Sequence, residues 1–199
     1  MTLPATLTPS GADDARVTRA LSGEILYGDD FTAQEIQRWF EHEREGYFDL
    51  YYGTGRESAQ AAAPAADPSS YGYSELVRQH CFSRLPRHDH ARVLGLGSAD
   101  GAELGPALDR AECITVLEPS EGFRASEIAG KPVRYVAPDP SGLMPFADAS
   151  FDLVVAFNVL HHIPNVSTVV REMQRVLAPG GHALLMDSTH SMGDWRRPR

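Results

Sequence analysis

The spacing of hydrophobic positions changes at Ala91. Short apolar runs from there onward are typical of β-strands, and they lie at 91–97, 112–118, 132–137, 151–158 and 182–187. Between these runs we expect helices at 100–109, 119–128 and 166–177. In the last of these, Val169, Met173 and Val176 recur at helical spacing, and Pro179 with the glycines after it ends the pattern.

Alternation of strands and helices at this spacing predicts a parallel sheet with right-handed crossovers. The expected fold class is therefore α/β, a Rossmann-like doubly wound and mainly parallel sheet of about five strands. In such sheets, ligands bind beyond the carboxyl ends of the strands. Side chains that follow the strands are thus the first place to look for chemistry.

Before Ala91 the pattern is helical. Thr32 and Glu35 have the spacing of a capping box, which predicts a helix from about Thr32 to Glu45. The polar run EHERE at 41–45 is typical of a solvated face of that helix. A second helix is predicted from Ser74, and Pro86 ends it.

These patterns divide the chain into three parts. The first 20 or so residues are polar, contain many turn formers and show no period, so we expect a mobile tail with order starting near Leu26. The expected division is a tail at 1–25, a helical cap at 26–88 with a flexible connection at 53–70, and the sheet domain at 89–199.

Composition narrows the choice of partner. The 27 acidic residues outnumber the 18 basic ones, and the net charge of −9 disfavours nucleic acid or an anionic membrane as the main partner. A small-molecule substrate fits better. Only two cysteines occur, Cys81 and Cys113, without metal-type spacing, and no apolar run suits a membrane span or a signal peptide. A reduced, cytoplasmic protein is expected.

The stretch ARVLGLGSADG at 91–101 ends a predicted strand in closely spaced glycines. Gly95, Gly97 and Gly101 follow the pattern G-x-G-x-x-x-G, whereas the dinucleotide fingerprint is G-x-G-x-x-G, so the fit to NAD is poor. The next strand ends in Glu118, whose carboxylate can accept both hydroxyls of a ribose. An acid beside a glycine turn suits NAD or S-adenosylmethionine equally well.

The most specific segments come later, in LMPFADASFDLVVAFNVLHHI at 143–163 and REMQRVLAPGGHALLMD at 171–187. With these segments, residues 91–187 resemble the class I S-adenosylmethionine-dependent methyltransferases, in particular the methyltransferase type 11-like domain. The resemblance implies S-adenosyl-L-methionine as the cofactor. It favours O-methylation of a small molecule or sugar hydroxyl.

The resemblance also implies a set of cofactor-binding positions. Gly97, Ser98 and Gly101 match the motif around the methionine part of the cofactor, and Glu118 matches the acid that binds the ribose. The remaining implied positions are Gly95, Pro119, Asp139 near the adenine amine, and Asn158 at the end of the fourth strand.

Two positions in this motif depart from the family pattern. Gly95 stands where the family usually has an aspartate, so the ammonium of the cofactor depends on backbone carbonyls or on a group from the N-terminal helices. Ala99 replaces the middle glycine, which is tolerable where φ is negative. Asp139 also lies one residue farther from Pro145 than the pattern expects.

Two histidines follow the fourth strand directly. A histidine has an ordinary pKa of about 6.5 and is a workable base for a protic acceptor, so His161 or His162 is the candidate catalytic base. Asp187 ends the neighbouring strand and can orient a histidine, which resembles the arrangement in some sugar and natural-product O-methyltransferases. In the alternative, one histidine packs under the loop and the other only lines the cofactor pocket. No third ligand accompanies the pair, so no metal is expected.

The family continues with two further strands after the fifth, and this sequence stops at Arg199. We therefore expect the last strands of the fold to be missing and a sheet edge to be exposed, which a second copy or a partner chain would cover. Three functions remain open. They are a methyltransferase, an inactive or partner-dependent cofactor-binding remnant, and an NAD-dependent oxidoreductase.

Overall fold

A six-stranded sheet forms the centre of the computed structural model, which describes residues 11–26, 28–52, 79–86 and 90–187. The strands are ordered β3-β4-β2-β1-β5-β6. All neighbours pair in parallel except β3 and β4, which are antiparallel. The mainly parallel, Rossmann-like class predicted from the sequence is confirmed, with six strands instead of about five.

The strands are β1 Arg92–Leu96, β2 Cys113–Leu117, β3 Glu127–Ile128, β4 Lys131–Val136, β5 Phe151–Phe157 and β6 Leu177–Met186. The α-helices are α1 Gly11–Leu21, α2 Ala33–Tyr52, α3 Gly105–Leu108 and α4 Val166–Val176, and the backbone at 79–83 is also helical. Short 3₁₀ turns occur at Ala102–Leu104, Glu121–Phe123 and Leu160–His162.

Both faces of the sheet are covered, which is why the central strands are largely apolar, as at 93–96 in β1 and 153–157 in β5. On β1, Val93 belongs to the core layer that contains Leu104, while Leu94 belongs to the opposite layer with Met173 and Val176 of α4. Adjacent strand residues point to opposite faces, so β1 contributes to both layers. The predicted helix at 166–177 is confirmed as α4.

Parallel pairing brings the carboxyl ends of the strands to one edge. The Gly97 N–H donates to the Leu117 carbonyl at 2.9 Å, and the Glu118 N–H donates to the Val136 carbonyl at 3.0 Å. On the other side, the Asn158 N–H donates to Met186 at 2.7 Å. The residues that follow β1, β2, β5 and β6 therefore lie along this edge, where the sequence places its candidate chemistry.

The prediction of a helix at 119–128 is wrong. After the 3₁₀ turn, the chain forms β3, which pairs with β4 as a hairpin through Ala129 and Gly130. Both connecting residues have positive φ, 49° and 78°, as a two-residue type I′ turn requires. The predicted helix at 100–109 is also broken, since only Gly105–Leu108 is α-helical after the turn at Ala102–Leu104.

The tail expected at 1–25 contains a helix that the sequence pattern did not predict, α1. A salt bridge from Arg16 to Glu35 of α2 holds it. The capping box is confirmed, since Glu35 Oε2 accepts from the Thr32 N–H at 2.7 Å. Helix α2 continues to Tyr52, beyond the predicted end. The connection at 53–70 and the predicted helix start at Ser74 lie outside the described residues, and the domain limits stay a prediction.

Strand β6 ends the sheet order on the side away from β3. Among the described residues its strand partner is β5, and Leu185 on it is 49% exposed. Residues 188–199 lie outside the description. In the part of the chain that the structure covers, no helix has the length and apolar character to cross a membrane.

Candidate functional site

The turn after β1 needs its glycines. Gly97 and Gly101 have φ of +60° and +75°, which side chains rarely adopt. A Cβ on Gly97 would lie 2.3 Å from Val159 Cγ2, and one on Gly101 would lie 2.1 Å from Ile128 Cδ1. These glycines let the turn after β1 approach both the loop after β5 and strand β3 closely.

Ala99 does not meet the condition under which the sequence made it tolerable, because its φ is +45°. Two hydrogen bonds hold this conformation. The Ala99 N–H donates to Glu118 Oε2 at 3.1 Å, and the Tyr135 hydroxyl donates to the Ala99 carbonyl at 3.0 Å. The alanine is therefore held in a left-handed conformation that costs an L residue about 1–2 kcal/mol.

Gly95 supports the turn from below. It is buried, and a Cβ there would lie 2.5 Å from Ser98 Oγ. The Ser98 hydroxyl itself donates to Glu103 Oε1. Gly95 thus leaves room for the Ser98 side chain. It lines neither of the two cavities that lie over the carboxyl ends of the strands, the glycine-turn cavity and the apolar cavity.

Glu118 is buried at the end of β2, with 3% of its surface exposed. Its two oxygens accept hydrogen bonds from the backbone N–H groups of Ala99 and Ser120, at 3.1 and 2.9 Å. Burial raises the pKa of this carboxyl, and the two hydrogen bonds oppose that shift. A buried carboxylate with further lone pairs is suited to accept from hydroxyl groups of a ligand.

Two cavities lie over this edge. The glycine-turn cavity, of about 280 Å³, is lined by Gly97, Ser98, Glu118, Pro119, Asn158 and His162, among others. The apolar cavity, of about 120 Å³, shares Gly97, Pro119 and His162 and adds Asp139 with mostly apolar side chains such as Leu117, Met144 and Val169. The structure therefore brings together most of the predicted site residues.

The glycine-turn cavity is rich in carboxylates. Besides Glu118, its lining includes Glu43, Asp100 and Glu103, together with Arg44. Asn158 also lines this cavity. Its φ is +52°, which asparagine tolerates better than most residues. A cavity with this lining favours ligands that carry positive charge and hydroxyl groups.

Asp139 lies on the wall of the apolar cavity beside Pro138 and Pro140. Its Oδ1 accepts from the Ser141 N–H at 2.8 Å, and its carbonyl accepts from the Gly142 N–H at 2.9 Å. Hydrogen bonds from Ser141 lower the pKa of this carboxyl. The carboxylate is thus ionised and held in a turn at the rim of the cavity.

His161 and Asp187 form the pair that the sequence suggested. His161 Nδ1 lies 2.5 Å from Asp187 Oδ1, and the side chains are 11% and 21% exposed. The other carboxylate oxygen accepts from the Leu160 N–H at 2.8 Å. His161 does not line the glycine-turn or apolar cavity. It lines a third one of about 200 Å³, the His161 cavity, with Trp39, Ile163 and Pro164, which the apolar cavity shares.

His162 has a partner that the sequence did not predict. Its Nδ1 lies 2.7 Å from Glu43 Oε2, and the Trp39 indole N–H donates to its backbone carbonyl at 2.9 Å. The interpretation of 41–45 as a solvated face is therefore wrong for Glu43 and Arg44, which are partly buried and line both cavities. The four-residue spacing of Trp39 and Glu43 puts them on one helix face, but nothing in the sequence pairs that face with the histidines.

In the described part of the chain, no group of three histidine, cysteine or acidic side chains is placed to hold a metal ion. The two histidine rings are 4.0 Å apart, yet each pairs with a carboxylate from a different element, Asp187 after β6 and Glu43 on α2. This arrangement favours proton handling or hydrogen bonding by the imidazoles.

Residues 94–185 match a family described as a methyltransferase domain. The match lies within the segment 91–187 on which the sequence resemblance rests, and that resemblance is confirmed. The family's span includes the glycine turn, the acid after β2 and the two histidines.

Two curated relatives are similar to this chain. The 27-O-demethylrifamycin SV methyltransferase of Amycolatopsis mediterranei (strain S699) is 50% identical over 182 residues, which cover 86% of this chain and 60% of that protein. The hybrid PKS-NRPS synthetase LUC5 of Fusarium sp is 30% identical over 132 residues, or 59% of this chain and 3% of that protein. The chain thus spans less than two thirds of either relative.

A solved structure from Methanococcus maripaludis, named as an S-adenosyl-L-methionine-dependent methyltransferase, superposes with a TM-score of 0.51. The match covers 65% of this chain and 62% of that one, at 19% sequence identity. This similarity supports the fold, and the fold is the one that the strand pattern predicted.

Proposed function

Because the chain carries a class I S-adenosylmethionine-dependent methyltransferase domain, we propose that it transfers a methyl group from S-adenosyl-L-methionine to a hydroxyl of a small molecule. The observation that carries the proposal is the glycine-turn cavity, where the buried Glu118 and a turn with positive φ meet at the carboxyl edge of the sheet.

The residues of this cavity fit the cofactor by their chemistry. The cofactor has a cationic sulfonium, an ammonium and a ribose with two hydroxyls, and the lining offers carboxylates and a hydroxyl. In our proposal Glu118 binds the ribose, and the turn at Gly97 and Ser98 holds the methionine part together with Asn158. Pro119 and Asp139 flank the adenine. Gly95 and Gly101 shape the turn. When bound, the cofactor supplies an electrophilic methyl group on sulfur.

His161 is the proposed catalytic base. The Asp187 carboxylate beside Nδ1 requires a hydrogen on that nitrogen, so Nε2 carries the lone pair that can take the proton of an acceptor hydroxyl. General-base help of this kind contributes about 10²–10⁴-fold, and alignment of the reactants supplies much of the remaining acceleration.

The proposed acceptor is a hydroxyl on a polyketide-type scaffold. One relative is named for a rifamycin substrate and another is named as a hybrid PKS-NRPS synthetase, which supports this class. The apolar walls of the two cavities that adjoin His161 and His162, built from Trp39, Leu143 and Ile163 among others, support a largely apolar acceptor over a free sugar.

We further propose a reducing, cytoplasmic setting, since Cys81 and Cys113 are both free thiols. Among the described residues β6 pairs with β5 alone and carries the exposed Leu185, which supports a second copy or a partner chain on that edge.

Calorimetry with S-adenosylhomocysteine tests the proposal first, because binding separates a cofactor site from a remnant that has lost it. A methyl-transfer assay then compares 27-O-demethylrifamycin SV with a panel of sugars. We expect His161→Ala to lose about 10²–10⁴-fold in single turnover and to keep the cofactor affinity. Loss of cofactor affinity with unchanged residual turnover would instead mean that His161 is structural.

A further inference from the structure

The cap, and not the sheet, holds the second histidine of the turn. Glu43 Oε2 contacts the ring of His162 at 2.7 Å, and Trp39 contacts its backbone carbonyl at 2.9 Å. Trp39 and Glu43 lie one helical turn apart on α2 and project from the same face. One helix face therefore determines both the backbone position and the ring orientation of His162.

The contact with Glu43 selects a tautomer. A carboxylate only accepts hydrogen bonds, so the hydrogen of a neutral His162 must be on Nδ1, and the lone pair is then on Nε2. The two side chains are 27% and 28% exposed, so water screens the contact less than it would at an open surface. Glu43 thus makes Nε2 the hydrogen-bond acceptor of this imidazole.

His162 also occupies a central position in the site. It lines both the glycine-turn cavity and the apolar cavity, and its ring centre is 4.0 Å from that of His161. An acceptor whose hydroxyl reaches His161 therefore lies beside His162. The two imidazoles are oriented by carboxylates from opposite walls, Asp187 on the sheet side and Glu43 on the cap side.

We infer that Glu43 is a positioning residue that fixes His162 in the Nδ1–H tautomer, so that Nε2 accepts a hydrogen bond from a second donor group of the methyl acceptor. The inference rests on the proposed function and narrows its substrate class to acceptors with a second hydroxyl or N–H close to the methylated hydroxyl. No bond to carbon is made or broken at His162, and the transferred proton goes to His161.

The test uses Glu43→Ala, with Glu41→Ala as the matched control. Glu41 is exposed on the same helix and contacts Gln37, so its removal changes the same charge without touching His162. Long-range ¹H–¹⁵N NMR of histidine-labelled full chain, at a pH where the rings are neutral, reports the tautomer. We expect the Nδ1–H form of His162 in wild type and Glu41→Ala, a shift toward the Nε2–H form in Glu43→Ala, and recovery in Glu43→Asp.

Kinetics complete the test. In Glu43→Ala we expect KM for 27-O-demethylrifamycin SV to rise about tenfold at saturating S-adenosyl-L-methionine. Saturation separates the acceptor contact from any loss of cofactor affinity, since Glu43 also lines the glycine-turn cavity. An unchanged tautomer in Glu43→Ala would overturn the assignment of Glu43, and an unchanged KM would overturn the acceptor contact. A wild-type chain that binds no S-adenosylhomocysteine would overturn the proposed function, and the tautomer measurement would show whether Glu43 still orients the ring.

Discussion

Ala99 is the residue whose replacement should stabilise the protein. Its φ of +45° lies in a region that costs an L residue about 1–2 kcal/mol, a cost that glycine avoids. Glycine also gives the unfolded chain more conformational freedom, which offsets about 0.4–1 kcal/mol of the stabilisation gained by relieving that strain. We therefore expect Ala99→Gly to raise the free energy of unfolding by about 0.5–1 kcal/mol.

Thermal unfolding followed by circular dichroism measures this difference. In a chain of this length 1 kcal/mol corresponds to about 2–4 °C, so the melting temperature should rise by about 1–4 °C. Ala102→Gly is the matched control. Ala102 is exposed and starts the adjacent 3₁₀ turn without a positive φ. Glycine there relieves no strain and only increases the freedom of the unfolded chain, so it should lower the melting temperature.

The same variant bears on the ligand site. The Ala99 N–H and carbonyl contact Glu118 and Tyr135, and glycine can keep both hydrogen bonds. Affinity for S-adenosylhomocysteine should therefore stay within about twofold of wild type. If Ala99→Gly lowers the melting temperature as much as Ala102→Gly does, Ala99 is unstrained and the description of this turn is incorrect.

Three other substitutions have defined outcomes. Glu118→Gln should weaken S-adenosylhomocysteine binding in calorimetry by about 1.5–3 kcal/mol, the value of a hydrogen bond to a charged group. Gly101→Ala should lower the free energy of unfolding by about 1–3 kcal/mol in denaturant titration, because it combines positive φ with a Cβ 2.1 Å from Ile128. Glu172→Gln should make the melting temperature depend less on pH in the acid range. Hydrogen bonds from Arg175 hold the pKa of Glu172 at about 2, so the stabilisation is complete above pH 4.5 and is lost as the pH falls toward 2.

Each of these has an outcome that contradicts it. Unchanged affinity in Glu118→Gln would remove Glu118 from the ligand site, with the exposed Glu121→Gln as the control. A Gly101→Ala chain as stable as wild type would mean that the Ile128 side chain in β3 moves aside without cost. If wild type and Glu172→Gln lose stability in parallel between pH 5 and 3, other carboxylates govern the acid transition.

The strands and the last helix could be predicted because their signals are local. An unbroken apolar run such as 153–157 is typical of a strand buried on both faces, and the spacing of Val169, Met173 and Val176 gives α4 one apolar side. The glycine turn was predictable for the same reason, since positive φ limits the choice of residue within a few positions.

The secondary-structure predictions failed where the sequence has only a weak local preference for helix or strand. The segment 119–128 has no strong helix signal, and pairing of Glu127 and Ile128 with β4 decides its structure. Helix α1 has little apolar periodicity in the sequence, and contacts such as Arg16 with Glu35 hold it against α2. Such contacts join residues 19 or more positions apart, which a local pattern cannot contain.

The sequence by itself determined the order of the central strands along the chain, the turn after β1 and the set of acids and histidines that follow the strands. Only the tertiary structure decided which carboxylate pairs with which imidazole. Asp187 reaches His161 because β6 pairs with β5, whereas Glu43 reaches His162 because α2 packs against the loop after β5. Partners separated by 26 and 119 residues are selected by packing of whole elements, and the free energy of that packing is spread over many side chains instead of being encoded at either residue.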